Sequence, residues 1–190
     1  MRIISGDMKG RRFADKVPEG VRPTSDAVRE TIFNILINYC EVEGSAVIDV
    51  FAGTGAFGLE ALSRGAEYCL FVEKSRKVAH LLEETAKTFA LPEECYDVVN
   101  ADAVKHLSQL SPALGGNLFD VAYLDPPYRA GVLNPAIEVL STHEIIRAGG
   151  IMIVEYAVGL GIVAPLGFSL LKEKTMGQTS IAFFERLESK

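Results

Sequence analysis

Three glycines in Asp49-Val-Phe-Ala-Gly53-Thr-Gly55-Ala-Phe-Gly58 keep the G-x-G-x-x-G spacing between a short apolar run and a helical one. Glycine lets the backbone turn sharply and approach a ligand closely. Glu73 closes the next apolar run, twenty residues beyond Gly53. A carboxylate there can accept hydrogen bonds from both hydroxyls of a ribose, so the pair suits an adenosine-bearing cofactor. The plainer alternative, a tight strand-to-helix turn with no ligand, needs the glycines and the acid to coincide by chance. Two further carboxylates narrow the cofactor. Asp49 would repel a pyrophosphate but suits the ammonium of a methionine moiety. Asp102 offers an acceptor for an adenine amine, or caps a helix beginning at Ala103, or does both. The expected ligand is therefore S-adenosylmethionine rather than a dinucleotide. Phe51, Thr54, Lys74 and Ala103 adjoin these positions and complete the candidate cofactor set.

Asp125-Pro126-Pro127-Tyr128 follows another apolar run. Two consecutive prolines end a strand, fix the backbone and leave carbonyls without competing N–H donors. The exocyclic amine of a base carries two hydrogens, which the Asp125 carboxylate and the Pro126 carbonyl can accept. Drawing the nitrogen lone pair out of ring conjugation makes it nucleophilic toward a sulfonium methyl, and Tyr128 can stack on the base. The chemistry expected is a direct methyl transfer that relies on positioning and electrostatics, with no metal. The base must leave its stack to reach such a pocket. Arg129 stands ready for a nearby phosphate, or is an ordinary surface residue.

The elements that must hold these residues alternate. Residues 1–23 carry short runs broken by Gly6, Gly10, Pro18, Gly20 and Pro23, which suggests a small hairpin or arm. Ser25 or Thr24 can cap a helix whose apolar face is Val28, Ile32, Phe33, Ile35 and Leu36. Predicted strands at 46–51, 68–73, 96–100, 119–124 and 151–155 alternate with predicted helices at 58–64, 75–89, 103–110 and 132–140. A terminal pair, 168–174 and 179–185, turns at Gly177. The fold expected is α/β: a doubly wound, mostly parallel, seven-stranded Rossmann-like sheet with an antiparallel C-terminal strand and a small N-terminal hairpin and helix extension. Residues 1–38 would form that extension, packed on a single catalytic unit at 39–190.

With 190 residues the chain suits one domain with a full core. No apolar run approaches the roughly 18 residues of a membrane span, and no leader is evident. Cys40, Cys69 and Cys95 are odd in number and scattered, as are the three histidines, so neither a disulfide framework nor a metal site is expected. A reducing cytoplasm fits. The formal net charge of −6 argues against a general nucleic-acid binder. Residues 1–12 run the other way, with Arg2, Lys9, Arg11 and Arg12 against Asp7. That segment is either a phosphate-contacting patch or a solvated basic end.

Taken together, Arg2 to Gly6 with Gly10-Arg11, Arg22-Pro-Thr-Ser-Asp26 with Val28-Arg29-Glu30, Phe33 to Leu36, Asp49 to Gly65, Glu73, Asp125 to Tyr128, Glu173-Lys174 and Gly177-Gln178 resemble the bacterial small-subunit ribosomal RNA guanine-N2 methyltransferases, nearly end to end. The resemblance implies a class I methyltransferase fold, S-adenosylmethionine as donor, and a guanine of small-subunit ribosomal RNA as acceptor; the small basic patch on an acidic chain favours a structured small-subunit particle over bare RNA, and the sequence leaves that choice open. The resemblance also implies a cofactor site at Gly53, Gly55, Glu73 and Asp102, chemistry at Asp125 to Tyr128, and Arg22, Thr24, Ser25 and Arg29 beside it. The glycine loop and the tetrapeptide are also shared with adenine-specific DNA methyltransferases, which stay open as a rival. A nicotinamide dehydrogenase lacks support, since no His or Tyr–Lys hydride pair is evident. A non-catalytic RNA-binding module on the same fold is the third reading.

Overall fold

The structure, a computed structural model, describes residues 1–14, 25–113, 118–127 and 131–188. Seven strands form one sheet: β1 (Ala46–Asp49), β2 (Tyr68–Glu73), β3 (Tyr96–Asn100), β4 (Phe119–Leu124), β5 (Ile146–Ala157), β6 (Phe168–Met176) and β7 (Thr179–Arg186). Their order is β3-β2-β1-β4-β5-β7-β6. The first five are parallel, and β7 runs antiparallel between β5 and β6. The predicted antiparallel terminal strand is present, inserted rather than at the edge. Gly177, at φ +62°, makes the tight turn from β6 to β7.

Among the described residues, five α-helices cover the sheet: α1 (Asp26–Leu36), α2 (Ala56–Ser63), α3 (Arg76–Thr88), α4 (Ala103–Ala113) and α5 (Leu133–Thr142). Strand alternation splits the core in two. One layer joins Ile3, Phe33, Phe57, Leu82, Tyr123, Ile153 and Phe183; the other joins Ile48, Val72, Leu107, Leu124, Ile137 and Val154. The strands carry near-continuous apolar runs because both faces are buried. α1 starts where the sequence places it: Ser25 is the N-cap, and its hydroxyl accepts from Val28 N–H at 3.2 Å.

Residues 1–14 are a hairpin-like arm lying along α2. Arg2 bridges Arg12, and Ile3 N–H reaches Arg11 O at 2.9 Å. Both carboxylate oxygens of Glu60 accept from this arm, from Ile4 N–H at 2.8 Å and Ser5 N–H at 3.0 Å. Ser63 accepts from Met8 N–H at 2.9 Å. A Cβ on Gly6 would fall 1.6 Å from Ser63 O, so only glycine permits this approach. Among the described residues, no helix is long and apolar enough to cross a membrane.

The sheet differs from the sequence expectation mainly in β5, which begins five residues early, at Ile146. Its register shifts between Phe119 and Val121 of β4, where residues 147–150 are accommodated. Gly149 at φ +73° and an ion pair between Arg147 and Asp120 hold the irregularity.

Candidate active site

The chain runs outward from β1 to β2 and β3, then crosses back to β4 on the other side of β1. This reversal opens a crevice above the carboxyl ends of β1 and β4, the usual ligand position in an open α/β sheet. The glycine loop follows β1 and the tetrapeptide follows β4. Asp49 pairs with Tyr123, and Val50 N–H donates to Tyr123 O at 2.9 Å. Two segments some seventy residues apart in sequence are thus neighbours across one strand pair.

Each glycine of the loop has its own steric reason. Gly53 takes φ +53° and its N–H donates to Glu73 Oε2 at 2.9 Å. Gly55 caps α2 at φ +78°, where a Cβ would meet Leu82 at 2.3 Å. A Cβ on Gly58 would lie 2.2 Å from the Phe71 ring and 2.6 Å from Cys69 Sγ, so this glycine sets how closely α2 packs on the sheet. Glu73 Oε1 also accepts from Ser75 N–H at 2.7 Å, which fixes the carboxylate at the end of β2. Phe51 is half-buried, while Thr54 lies buried with its hydroxyl 3.2 Å from Met1 Sδ.

Asp49 behaves differently from its neighbours. It is 2% exposed, and its Oδ2 accepts from Gly58 N–H at 3.1 Å. Burial, with the Glu73 charge adding to it, pushes the carboxyl up to about 7 against the opposing Gly58 bond. The carboxyl therefore lies beneath the loop, at the carboxyl end of β1. Asp102 takes the capping position expected of it, and its other oxygen is held by Lys74. Its Oδ1 faces Lys105 N–H at 3.4 Å as the α4 cap, and Oδ2 accepts from Lys74 at 2.9 Å. The Lys74 bond holds Asp102 below the usual carboxylate range. Ala103 is buried behind it.

Asp125 is partly buried, Pro126 buried and Pro127 exposed, directly after β4. Tyr128, Arg129, Arg22 and Thr24 lie outside the described residues. A cavity of about 70 Å³ behind the prolines, bounded by Leu133, Asn134, Tyr156 and Leu160, is smaller than ligand sites usually are. An open hollow of about 600 Å³ between the end of α1 and the approach to β1 is at the wrong end of the sheet.

The basic residues fare unevenly. Lys9 and Arg12 are exposed on the arm. Arg2 is exposed too, and pairs with Asp26 at 2.8 Å. Arg11 is committed to α3: its guanidinium donates to Phe89 O at 2.8 Å and Thr88 O at 2.9 Å and stacks on Phe89 at 4.3 Å. It thus caps the helix end remote from Glu73. Arg29 corrects the sequence expectation outright. It is fully buried, donates to Arg2 O at 2.5 Å and Asp26 at 3.1 Å, and lies 3.6 Å from Glu60. A side chain with no exposed surface cannot meet a phosphate; it joins α1, α2 and the arm. Composition gave no sign of this, because buried Arg and Glu only declare themselves once they meet. Sequence reasoning also missed Glu155 of β5, 5% exposed, whose Oε2 accepts from Tyr123 OH at 2.7 Å. Its one signal was a lone acid in an apolar strand.

A family model described as "Conserved hypothetical protein 95" matches residues 1–185. The chain belongs to this family. Among its relatives, the ribosomal RNA small subunit methyltransferase D of Haemophilus influenzae is 35% identical over 185 residues, covering 97% of this chain and 93% of that protein. The Escherichia coli K12 protein of the same name is 34% identical, covering 98% and 90%. Among solved structures, a hypothetical protein of Thermus thermophilus superposes with a TM-score of 0.80 at 29% identity, over 97% of this chain and 99% of that one. A 16S rRNA N2 methyltransferase from Thermus thermophilus, in complex with AdoMet and guanosine, shares the fold, with a TM-score of 0.67 at 20% identity. The match covers 88% of this chain and 44% of that one. The resemblance read from the motifs and the Rossmann-like fold are both borne out.

Proposed function

We propose that this family member transfers the methyl group of S-adenosylmethionine to the exocyclic N2 amine of one guanine in small-subunit ribosomal RNA, acting on an assembled particle in the cytoplasm. The observation that carries the reading is the adjacency of the glycine loop and Asp125-Pro-Pro across the β1–β4 pair. One segment is built to hold a cofactor and the other to hold an amine, and they share one crevice. The names of the full-length relatives support ribosomal RNA as the acceptor over DNA.

The residues present fit the cofactor. Glu73 is preset by two backbone donors where ribose hydroxyls would lie, and Asp102 stands at the next strand end. When bound, S-adenosylmethionine supplies an electrophilic methyl on a sulfonium. Asp125 and the Pro126 carbonyl accept the two amine hydrogens and turn the nitrogen lone pair out of the ring. Asp125 would take the proton that the amine sheds as the N–C bond forms and the sulfonium–methyl bond breaks, its electron pair staying on sulfur. Tyr128 stacks on the base and fixes its plane.

The test is labelled S-adenosylmethionine with undermethylated small-subunit particles, followed by mapping of the label. Asp125→Ala is expected to lose most transfer at unchanged cofactor affinity. Tyr128→Ala should be severe and Tyr128→Phe mild. Label on adenine, or equal loss in the two Tyr128 variants, would refute the amine assignment or the stacking role respectively.

A further inference from the structure

Glu155 is the one charged residue in Ile151–Tyr156, the otherwise apolar part of β5. Burying a carboxylate in such a strand is expensive, so its place needs a reason. Parallel pairing aligns Leu124 with Val154. That is the last pair of the ladder; carried one residue further, the register would set Glu155 beside Asp125, on the same face as Tyr123 and Ile153. Tyr123 confirms the side. It shares a core layer with Ile153, stacks on Phe57 at 4.2 Å between centroids, and donates its hydroxyl to Glu155 Oε2. Phe57 in turn stacks on Phe33 of α1 at 5.0 Å. The carboxylate is therefore aimed by a phenol that is itself locked in an aromatic stack. It stands at the carboxyl end of β5, next to the residue assigned to the acceptor amine.

Two adjacent carboxylates read a base in only one way. In guanine the N2 amine neighbours a ring N1–H, so the edge offers consecutive donors. The adenine amine neighbours ring nitrogens that accept, and so does the cytosine amine. A carboxylate beside Asp125 gains a bond from guanine N1–H but faces a lone pair in either rival. We propose that Glu155 is the specificity-determining residue of this site: it accepts the N1–H of guanine while Asp125 holds the N2 amine. This rests on the guanine reading above and adds the group that enforces it. Sites that pair a buried acceptor with a substrate donor discriminate sharply, since the wrong substrate leaves the acceptor unmatched.

The test uses full-length protein loaded with S-adenosylhomocysteine. The probe is 2-aminopurine riboside, which keeps the amine but carries an unprotonated, accepting N1, followed by fluorescence; guanosine competes. Wild type should favour guanosine by roughly 10- to 100-fold, the range for one hydrogen bond to a charged group. Glu155→Gln keeps an oxygen for the Tyr123 hydroxyl and gains an amide N–H that can donate to the bare N1. Its preference should collapse or invert, with melting temperature and cofactor affinity unchanged. A purely structural Glu155 would not move that ratio. Equal affinity of wild type for the two nucleosides overturns the assignment without any variant. So does an unchanged preference in folded Glu155→Gln. Particles that take up no methyl at guanine refute the methylation reading instead, while the nucleoside preference still decides Glu155 by itself.

Discussion

Replacing Asp49 by Asn should stabilise the cofactor-free protein at alkaline pH and do so far less in acid. The carboxyl is buried, with its pKa raised from 3.8 to about 7. Below about pH 4 it is protonated in both folded and unfolded chains and costs nothing by linkage. Between about 4 and 7 the unfolded chain releases this proton while the folded one keeps it, so stability falls as pH rises. Above 7 the full penalty stands. At 1.36 kcal/mol per unit, the difference comes to roughly 4 kcal/mol. Asn keeps an oxygen for Gly58 N–H and has no charge to bury. Its amide brings a cost of its own, about 1–3 kcal/mol if poorly bonded, but that cost is the same at every pH. Comparing the two proteins at pH 4 and pH 8 therefore isolates the charge. At about 2–4 °C per kcal/mol for a chain of this size, the melting-temperature difference should grow in favour of Asn by up to about 8–16 °C between the two pH values. Calorimetric melting without cofactor is the assay. A difference that stays the same at both pH values would mean that Asp49 ionises normally inside the fold, and that the burial argument is wrong. The same variant should bind S-adenosylmethionine more weakly at pH 8 if the ionised form faces the ammonium.

Arg29→Ala removes one of the two cations beside buried Glu60, leaving Arg64 at 2.9 Å, and strips Arg2 O of its donor, so it should lower the melting temperature but cost less than the ~3–5 kcal/mol of a wholly uncompensated charge; normal melting with weakened RNA binding would restore a substrate role to Arg29. Glu73→Ala removes the acceptor for Gly53 and Ser75 N–H together with the proposed ribose contact, and should weaken S-adenosylmethionine binding by about 1–3 kcal/mol. Calorimetry showing unchanged affinity would refute its role. Lys9→Ala with Arg12→Ala should flatten the salt dependence of RNA binding by about 0.7–0.9 log units per lost contact. Arg11→Ala, by contrast, should mainly lower the melting temperature, because its guanidinium closes α3. An unchanged slope in the double variant would make the exposed arm a solvated end.

The sequence alone determined whatever depends on local spacing. Glycines at 53, 55 and 58 between two apolar runs mark a strand, a tight turn and a helix start, and Ser25 or Thr24 marks the start of α1, which the structure caps with Ser25. Alternating runs bound the chain to a parallel sheet, and paired prolines ended β4 at Leu124. The tertiary structure decided everything that needs two distant segments to meet. The strand order brings the glycine loop against Asp125, and no one-dimensional pattern records which strands become neighbours. Resemblance alone places Arg29 beside the active site; only the closure of the arm over Glu60 supplies the partners that let it be buried. Arg11 read as a phosphate contact until the end of α3 offered it two carbonyls. Glu155 carries no reading of its own in the sequence beyond lying in the strand predicted at 151–155. Its surroundings depend on Tyr123, thirty-two residues away, and on a β4–β5 register that aligns Leu124 with Val154, because a carboxylate acquires a role only from what the fold places within hydrogen-bond reach.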